Sequence, residues 1–277
     1  MQAPSHRRLR LPVTVLAFMT AVSVAPPAMT SERAAPDRPW EELEPGLHYR
    51  QDRLPPAAEG LPITLYMIRA DLGRFAAAVR AAPPSRLRVP LKSLEQDGDI
   101  AIINGGYFEA DGRPSGLVRS AGQTHAKIWG GGSGALLLWG PKASIIFKRD
   151  YPKENEPPHA LQAGPVMVEP DGLPGIRSRS GKRERRTFVA LLNEKTAVLG
   201  ASSGPIDLYD LAEHLRTAVG VRSALNLDGG PSAGFYLRHP VKSVVIEPDS
   251  AIPNAIVITR QDSAAQSQLY EPESLRP

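Results

Sequence analysis

The sequence contains no cysteine among its 277 residues. This absence excludes disulfide bonds, thiolate nucleophiles, cysteine-based zinc sites and a lipid-modified N-terminal cysteine. The hydrophobic core must therefore supply the stability, and a chain of this length can bury a sizeable core. One large domain with one active site is the expectation for the chain after any leader.

Several motifs of common enzyme classes are also missing. The six histidines form no i, i+4 pair and no His-x-His, so we expect neither a metal site nor another cofactor. The glycine-rich run 130–134 has no following Gly-Lys-Ser/Thr and no helical pattern, which excludes a Walker loop and a dinucleotide fingerprint.

Long hydrophobic runs are absent as well. The apolar run from Leu11 to Val24 has 14 residues, whereas a membrane-spanning helix needs roughly 20. Basic residues precede this run, and the small residues Ala25 and Ala28 follow it. The layout predicts a signal peptide at residues 1–28 and a periplasmic or secreted protein, with an uncleaved membrane anchor as the alternative.

Beyond the leader, composition divides the chain into three further parts. Residues 29–59 are polar and proline-rich and predict a leader and linker, 60–262 predict the folded domain, and 263–277 predict a C-terminal tail. Removing the three arginines of the signal peptide from a net charge of +4 leaves +1. The sequence therefore predicts no nucleic-acid partner and no stable membrane anchor after leader cleavage.

Short apolar runs between glycine and proline residues predict many strands. They are Ile63–Ile68, Ile100–Ile103, Ala135–Trp139, Ser144–Phe147, Phe188–Leu192, Ala197–Leu199, Ala224–Leu227, Phe235–Leu237, Ser243–Ile246 and Ala255–Thr259. Apolar residues at helical spacing between Asp207 and Gly220 predict one amphipathic helix, and a helical turn is predicted at Leu91–Gln96. The fold class is α+β, a single strand-rich domain with mixed or antiparallel sheet and few helices.

Two glycine-rich segments follow predicted strands. The segment Asn104-Gly105-Gly106-Tyr107-Phe108 follows Ile100–Ile103, and Asn226-Leu227-Asp228-Gly229-Gly230-Pro231-Ser232 follows Ala224–Leu227. Glycine pairs let the backbone approach a ligand closely, and a carboxylate beside glycine amides can hold a hydroxyl, a metal or a reacting group. Both segments are also typical of tight turns.

Two shorter features lie near predicted strands. Gln162-Ala163-Gly164-Pro165 leads into the apolar residues Val166–Val168, and Arg186-Thr187 ends a basic loop where a strand begins. The planar fork of an arginine suits a phosphate better than a lysine does. A solvated loop with a surface arginine is the alternative interpretation.

Taken together and in their order along the chain, with Pro253-Asn254 before the last strand, these segments resemble the phosphodiester glycosidase family over about Leu61 to Thr259. The resemblance implies a hydrolase that releases a sugar from a phosphodiester. It places catalytic residues at Asp228, Asn104, Arg186 and Glu109, with Asp111 as another candidate for the second carboxylate. Substrate-binding residues would be Gly105, Gly106, Tyr107, Gly164, Pro165, Thr187, Gly229, Gly230 and Ser232.

The expected chemistry needs few groups. Arg186 and the glycine amides would bind the phosphate, and Asp228 would be the principal carboxylate. The substrate would be a sugar-phosphate or another glycan, and no cofactor or metal is expected. Two alternatives stay open: a metal-dependent phosphodiesterase, and a non-catalytic periplasmic polysaccharide-binding or envelope protein.

Overall fold

The computed structural model describes residues 39–55, 62–130 and 132–261, so the predicted signal peptide and C-terminal tail lie outside the described residues. The strands are β1 (Glu41–Glu44), β2 (Leu47–Leu54), β3 (Ile63–Asp71), β4 (Phe75–Ala81), β5 (Asp99–Asn104), β6 (Val118–Ser120), β7 (Gln123–Ala126), β8 (Gly134–Trp139), β9 (Lys142–Phe147), β10 (His159–Ala163), β11 (Val166–Val168), β12 (Arg183–Glu184), β13 (Thr187–Asn193), β14 (Thr196–Ser202), β15 (Ile206–Asp207), β16 (Ser223–Asn226), β17 (Phe235–His239), β18 (Lys242–Ile246) and β19 (Asn254–Arg260).

Helical structure is confined to short segments. The helix α1 (Leu208–His214) continues as one π-helical turn, Leu215–Val219, and 3-10 turns occupy Leu91–Leu94, Lys148–Asp150 and Gly230–Ser232. Strand-rich α+β architecture with few helices is thus confirmed.

Four antiparallel sheets organise the described strands. A seven-stranded sheet has the order β1-β2-β3-β14-β13-β16-β11, and two five-stranded sheets have the orders β7-β6-β10-β8-β9 and β18-β17-β5-β19-β4. A two-stranded ribbon joins β12 to β15. Neighbouring strands in these sheets of the described residues run antiparallel, including β14 beside β3 and β19 beside β5.

The main core lies between the three larger sheets. It contains buried Leu, Ile, Val and Phe side chains from strands of all three, including Leu136, Leu225 and Ile256. Strand β5 is buried at every position because it lies in the middle of its sheet, which explains its continuous apolar sequence. Burial of these surfaces is the dominant stabilising contribution to the fold.

The helix α1 covers the other face of the seven-stranded sheet. Leu211, Ala212 and Leu215 pack with Met67 and Phe188 from that sheet. The Asp207 side chain accepts a hydrogen bond of 2.9 Å from the Tyr209 amide, which caps the helix start. Gly220, with φ of 76°, ends the helical segment, so both predicted helix boundaries are confirmed.

All ten strands predicted from apolar runs are present, with ends that differ by a few residues. The prediction of a polar linker at residues 29–59 is wrong for residues 41–54, which form β1 and β2 of the seven-stranded sheet. The cause is a charged strand in which Arg50 and Asp52 are buried as an ion pair. Arg50 donates to both carboxylate oxygens of Asp52 at 2.8 and 3.0 Å, and His214 of α1 lies 2.7 Å from the same carboxylate.

None of the helices within the described residues is long and apolar enough to cross a membrane.

Candidate functional site

The site forms where strand ends from the three larger sheets meet. Asn104 ends β5, Asn226 ends β16, Thr187 begins β13, and the Gly164-Pro165 turn joins β10 to β11. The Asp228 amide donates to the Gly105 carbonyl at 3.0 Å, which connects the segment after β16 to the segment after β5. The topology therefore brings the four sequence motifs to one place.

Two further hydrogen bonds fix the main chain at Asp228. Its carbonyl accepts from Asn104 Nδ2 at 2.7 Å and from Thr187 Oγ1 at 3.0 Å. The Asn104 Oδ1 atom accepts from the Gly234 amide at 3.1 Å, and Asn104 is fully buried. Asn104 and Thr187 thus hold Asp228 in position, and the polar atoms of the Asn104 side chain are occupied within the protein.

The Asp228 carboxyl group is partly buried beside polar neighbours. Burial raises the pKa of Asp228 above its ordinary value, while hydrogen bonding from Ser232 and from the Gly229 amide lowers it in part. Ser232 is itself buried. A carboxylate with a raised pKa is a stronger base than an exposed one, which is a common property of catalytic carboxylates.

Tyr107 and Asn226 form the next part of the site. The Tyr107 hydroxyl donates to the Gly164 carbonyl and accepts from Asn226 Nδ2 at 2.8 Å. Burial, followed by the negative charge of Asp228, raises the pKa of Tyr107 to about 12. The phenol is therefore neutral at ordinary pH and lies within electrostatic reach of Asp228.

Arg186 lies beside Gly229, the residue that follows Asp228, and within electrostatic reach of Tyr107. Its side chain is 7% exposed, its Nη2 donates to the Lys182 carbonyl at 3.2 Å, and its amide donates to Ser202 Oγ at 2.8 Å. A Cβ on Gly229 would lie 3.5 Å from Arg186 Nη1, so the guanidinium faces the residue next to Asp228. Burial lowers the pKa of Arg186, and the neighbouring Tyr107 and Glu184 raise it, but an arginine stays charged in proteins.

The glycines serve close packing of main chain and side chains. A Cβ on Gly105 would lie 2.0 Å from Asn254 Oδ1, one on Gly106 would lie 2.4 Å from the Gln162 carbonyl oxygen, and one on Gly229 would lie 2.7 Å from the Arg185 carbonyl oxygen. Side chains larger than hydrogen do not fit at these positions.

The amides of Gly105, Gly106 and Gly230 already have partners. Gly105 and Gly106 donate to the main-chain and side-chain oxygens of Asn254 at 2.9 and 2.8 Å, and Gly230 donates to the Arg185 carbonyl at 2.8 Å. The Gly105, Gly106 and Gly230 amides are therefore engaged within the protein, which corrects the expectation that they bind phosphate, and the Gly229 amide stays a prediction for that role.

Gln162 connects the site to a neighbouring loop. Its side chain, 2% exposed, donates from Nε2 to the Trp129 carbonyl at 2.6 Å, and its Oε1 accepts from the Trp129 amide at 3.1 Å. The adjacent Gly164 packs on the same loop, because a Cβ there would lie 2.5 Å from the Ser133 amide nitrogen. The Gly164-Pro165 peptide bond is cis.

Glu109 does not join this network. It lies in an exposed turn in which its amide donates to the Arg113 carbonyl at 2.8 Å, and Asp111 in the same turn pairs with Arg113 at 2.7 Å. No hydrogen bond or ion pair within the described part of the chain joins Glu109 or Asp111 to Asp228. Both carboxylates stay predictions for the second catalytic group.

Three residues near the site were not predicted as site residues. Asn226 and Asn254 are fully buried and bond Tyr107 and Gly106. Glu184 lies beside Gly230, since a Cβ on that glycine would be 3.2 Å from Glu184 Oε2. The two asparagines stood inside or beside the recognised segments, whereas Glu184 stood in a basic loop with no local signal.

A separate cavity of about 530 Å³ lies at the opposite end of β13, and its lining includes His48, Arg69 and Lys195. It contains none of the site residues described above. Within residues 39–55, 62–130 and 132–261, no group of three or more His, Asp or Glu side chains is arranged to hold a metal ion.

The fold and the site define a class of strand-rich domain with a partly buried aspartate and a buried arginine at the junction of its sheets. The family model for phosphodiester glycosidase matches residues 97–259, more than half of the chain, and the chain belongs to this family. No curated protein matches the chain.

Solved structures share the fold at low sequence identity. The catalytic domain of zebrafish N-acetylglucosamine-1-phosphodiester alpha-N-acetylglucosaminidase, auto-inhibited by its pro-peptide, is 16% identical, with a TM-score of 0.62 over 82% of this chain and 86% of that one. A hypothetical protein from Synechocystis is 15% identical, with a TM-score of 0.55 over 81% of this chain and 64% of that one. A Burkholderia pseudomallei protein is 11% identical, with a TM-score of 0.55 over 72% of this chain and 74% of that one.

Proposed function

We propose that this protein is a hydrolase that cleaves the glycosidic bond of a sugar-1-phosphodiester and releases the free sugar and a phosphomonoester. The observation that carries the proposal is the Arg186 guanidinium beside Gly229, the residue that follows Asp228, in a member of the phosphodiester glycosidase family. A carboxylate and a guanidinium are the groups needed at the anomeric carbon and at the phosphate, respectively.

Arg186 binds the phosphate in this proposal. Its guanidinium is held by the carbonyls of Lys182 and Ile206, at 3.2 and 3.4 Å, and so its orientation is fixed before the substrate arrives. As the bond between the anomeric carbon and oxygen breaks, its electron pair goes to the phosphate oxygen. The phosphomonoester is a weak base, so it leaves without prior protonation, and the arginine stabilises its charge.

Asp228 is the principal carboxylate. It faces the developing positive charge on the anomeric carbon, and its raised pKa suits acceptance of a proton from the incoming water. Tyr107, held by Asn226 and by the Gly164 carbonyl, lies beside it as a neutral polar contact for the substrate. The chemistry uses one partly buried carboxylate and one arginine.

Isotope labelling distinguishes this reaction from attack at phosphorus. Hydrolysis of a sugar-1-phosphodiester in oxygen-18 water should place the label on the free sugar and none on the phosphomonoester, and activity should survive a chelator. A metal-dependent phosphodiesterase would place the label on the phosphate and lose activity with the chelator. That result would refute the proposed bond cleavage even if Asp228 and Arg186 were both essential.

A substitution distinguishes a catalytic Asp228 from a turn residue. Asp228→Asn keeps the size and the hydrogen-bond acceptor but removes the charge, so turnover should be nearly abolished. The matched control is Asp171→Asn, since Asp171 also precedes a glycine and accepts a turn hydrogen bond from Leu173 at 3.1 Å. Near-native turnover by Asp228→Asn would show that Asp228 only shapes the turn.

We also propose that the protein is exported. The support is the basic start, the short apolar run and the small residues at Ala25 and Ala28. Intact-mass measurement of periplasmic material should show a chain that begins after one of these alanines. Full-length protein confined to the membrane fraction would contradict export by a cleaved leader.

A further inference from the structure

We infer that Trp129 is a substrate-binding residue and that its indole supplies the surface on which the sugar ring of the substrate stacks. The inference rests on the proposed function, because it assigns the sugar side of the same site. It concerns a residue that none of the recognised sequence segments contains.

The first observation is an exposed indole on a fixed backbone. Trp129 is 67% exposed, and both polar atoms of its main chain are bound by the buried Gln162 side chain, at 3.1 and 2.6 Å. Lys148 Nζ donates to the same carbonyl at 3.2 Å. Tryptophan is usually well buried, and contiguous exposed apolar surface often marks a binding site. The adjacent Ile128 is 36% exposed and extends this apolar surface.

The second observation is the connection between Trp129 and the site. The residue that fixes Trp129 is the same Gln162 whose carbonyl packs on Gly106, in the segment that carries Tyr107. The loop continues to Ser133, whose Oγ accepts from the Val166 amide at 3.1 Å, directly after the Gly164-Pro165 turn. The loop therefore borders the Tyr107 side of the site.

The arrangement separates a polar end from an apolar end. Tyr107 lies within electrostatic reach of Asp228 and of Arg186, whereas Gln162 and Trp129 lie toward the Gly164 turn that the Tyr107 hydroxyl contacts. A sugar-1-phosphodiester has the same polarity: a charged phosphate joined at the anomeric carbon to an uncharged ring. With the phosphate at Arg186 and the anomeric carbon at Asp228, the ring extends toward Trp129.

An indole matches the chemistry of a sugar ring. One face of a pyranose presents C–H groups, which pack on the flat aromatic surface, and the indole N–H can donate to a hydroxyl group. Aromatic side chains fixed before binding lose little conformational entropy when the ligand arrives. Such contact occurs equally in the bound substrate and the transition state, so it should affect KM more than kcat.

The test compares Trp129→Ala and Trp129→Phe with Trp139→Ala, which removes another partly exposed tryptophan, at the end of β8. Trp129→Ala should raise KM for a sugar-1-phosphodiester by about tenfold with kcat within about threefold. Trp129→Phe should recover most of the loss, and Trp139→Ala should leave both constants unchanged. An unchanged KM in Trp129→Ala would overturn the inference while the hydrolase proposal stands.

A binding measurement keeps the inference testable without turnover. Titration of the native protein with a panel of free monosaccharides, N-acetylglucosamine and glucose among them, should quench tryptophan fluorescence, and Trp129→Ala should lose that change while Trp139→Ala keeps it. Failure of the hydrolase proposal would show as no turnover by the native protein in spite of this quenching. Quenching that persists in Trp129→Ala, or that is absent from the native protein with every sugar, would overturn the inference.

Discussion

Gly106 offers a quantitative test of how the site is assembled. An alanine Cβ there would lie 2.4 Å from the Gln162 carbonyl oxygen, and contacts of this kind are not made below 3.0 Å. The carbonyl must therefore retreat by about 0.6 Å. Strand β10 cannot yield easily, because it lies between β6 and β8 and its Gln162 amide donates to the Leu117 carbonyl at 2.9 Å.

Inserting a methyl group into a packed interior that resists movement costs roughly 1–3 kcal/mol. For a domain of this size each kcal/mol lowers Tm by roughly 2–4 °C. Gly106→Ala should therefore melt several degrees below the native chain when thermal unfolding is followed by circular dichroism. The matched control is Gly130→Ala, because a Cβ at Gly130 has no atom within 4 Å, and its Tm should change little.

Equal melting temperatures for the two variants would refute the reasoning. That result would mean that the segment after β5 has room to move away from β10. The close packing of Gly106 on Gln162 would then have no energetic consequence, and the glycine would be needed for another reason.

Three further predictions concern charged groups. Because burial raises the pKa of Asp228, the contribution of this aspartate to stability is full below the unfolded aspartate pKa of about 3.9 and is lost as pH rises through its folded-state pKa. Asp228→Asn should therefore have a higher Tm than the native chain at neutral pH but the same Tm near pH 3, and a lower Tm at neutral pH would contradict this sign. Arg186→Lys should lower kcat/KM by roughly ten- to a hundredfold, since a lysine cannot reproduce the bidentate geometry of the guanidinium, whereas Arg177→Lys, at an exposed position, should leave kcat/KM unchanged. Equally small effects of the two substitutions would show that both arginines belong to a solvated loop. Asp52→Asn should destabilise the protein by about 3–5 kcal/mol in urea unfolding, because it removes the carboxylate that pairs with the buried Arg50, and an unchanged urea midpoint would show that the pair is dispensable.

The fold was predictable wherever local sequence and tertiary burial agree. Strand β5, buried on both faces, carries an uninterrupted apolar run, and Asp207 and Gly220 mark the helix ends. Strand β2 was missed because its buried charges have a further partner far along the chain. Arg50 lies two residues from Asp52, but His214, the other partner of that carboxylate, is 162 residues away, so a window of local sequence contains only part of the reason why this polar segment is buried.

The site was predictable as a set of segments but less so as a set of roles. Glycine pairs after strands correctly indicated close approach, yet only the packing shows that the approaching groups are Asn254, Gln162 and Arg185 of the same chain. The positions of Glu184 and Trp129 depend on a two-residue strand and on one buried glutamine. Neither feature has a repeating pattern that sequence alone could reveal.

The placement of the first four strands sets the minimum length of an independently stable fragment. The family match begins at residue 97, but β14 is paired with β3 and β19 is paired with β4 along seven positions each. A chain shortened to residues 97–259 would leave both strands with an open edge of unpaired amides and carbonyls. Such edges recruit strands from other molecules, so the shortened chain should aggregate, and truncations that retain the fold must begin before β1 at Glu41.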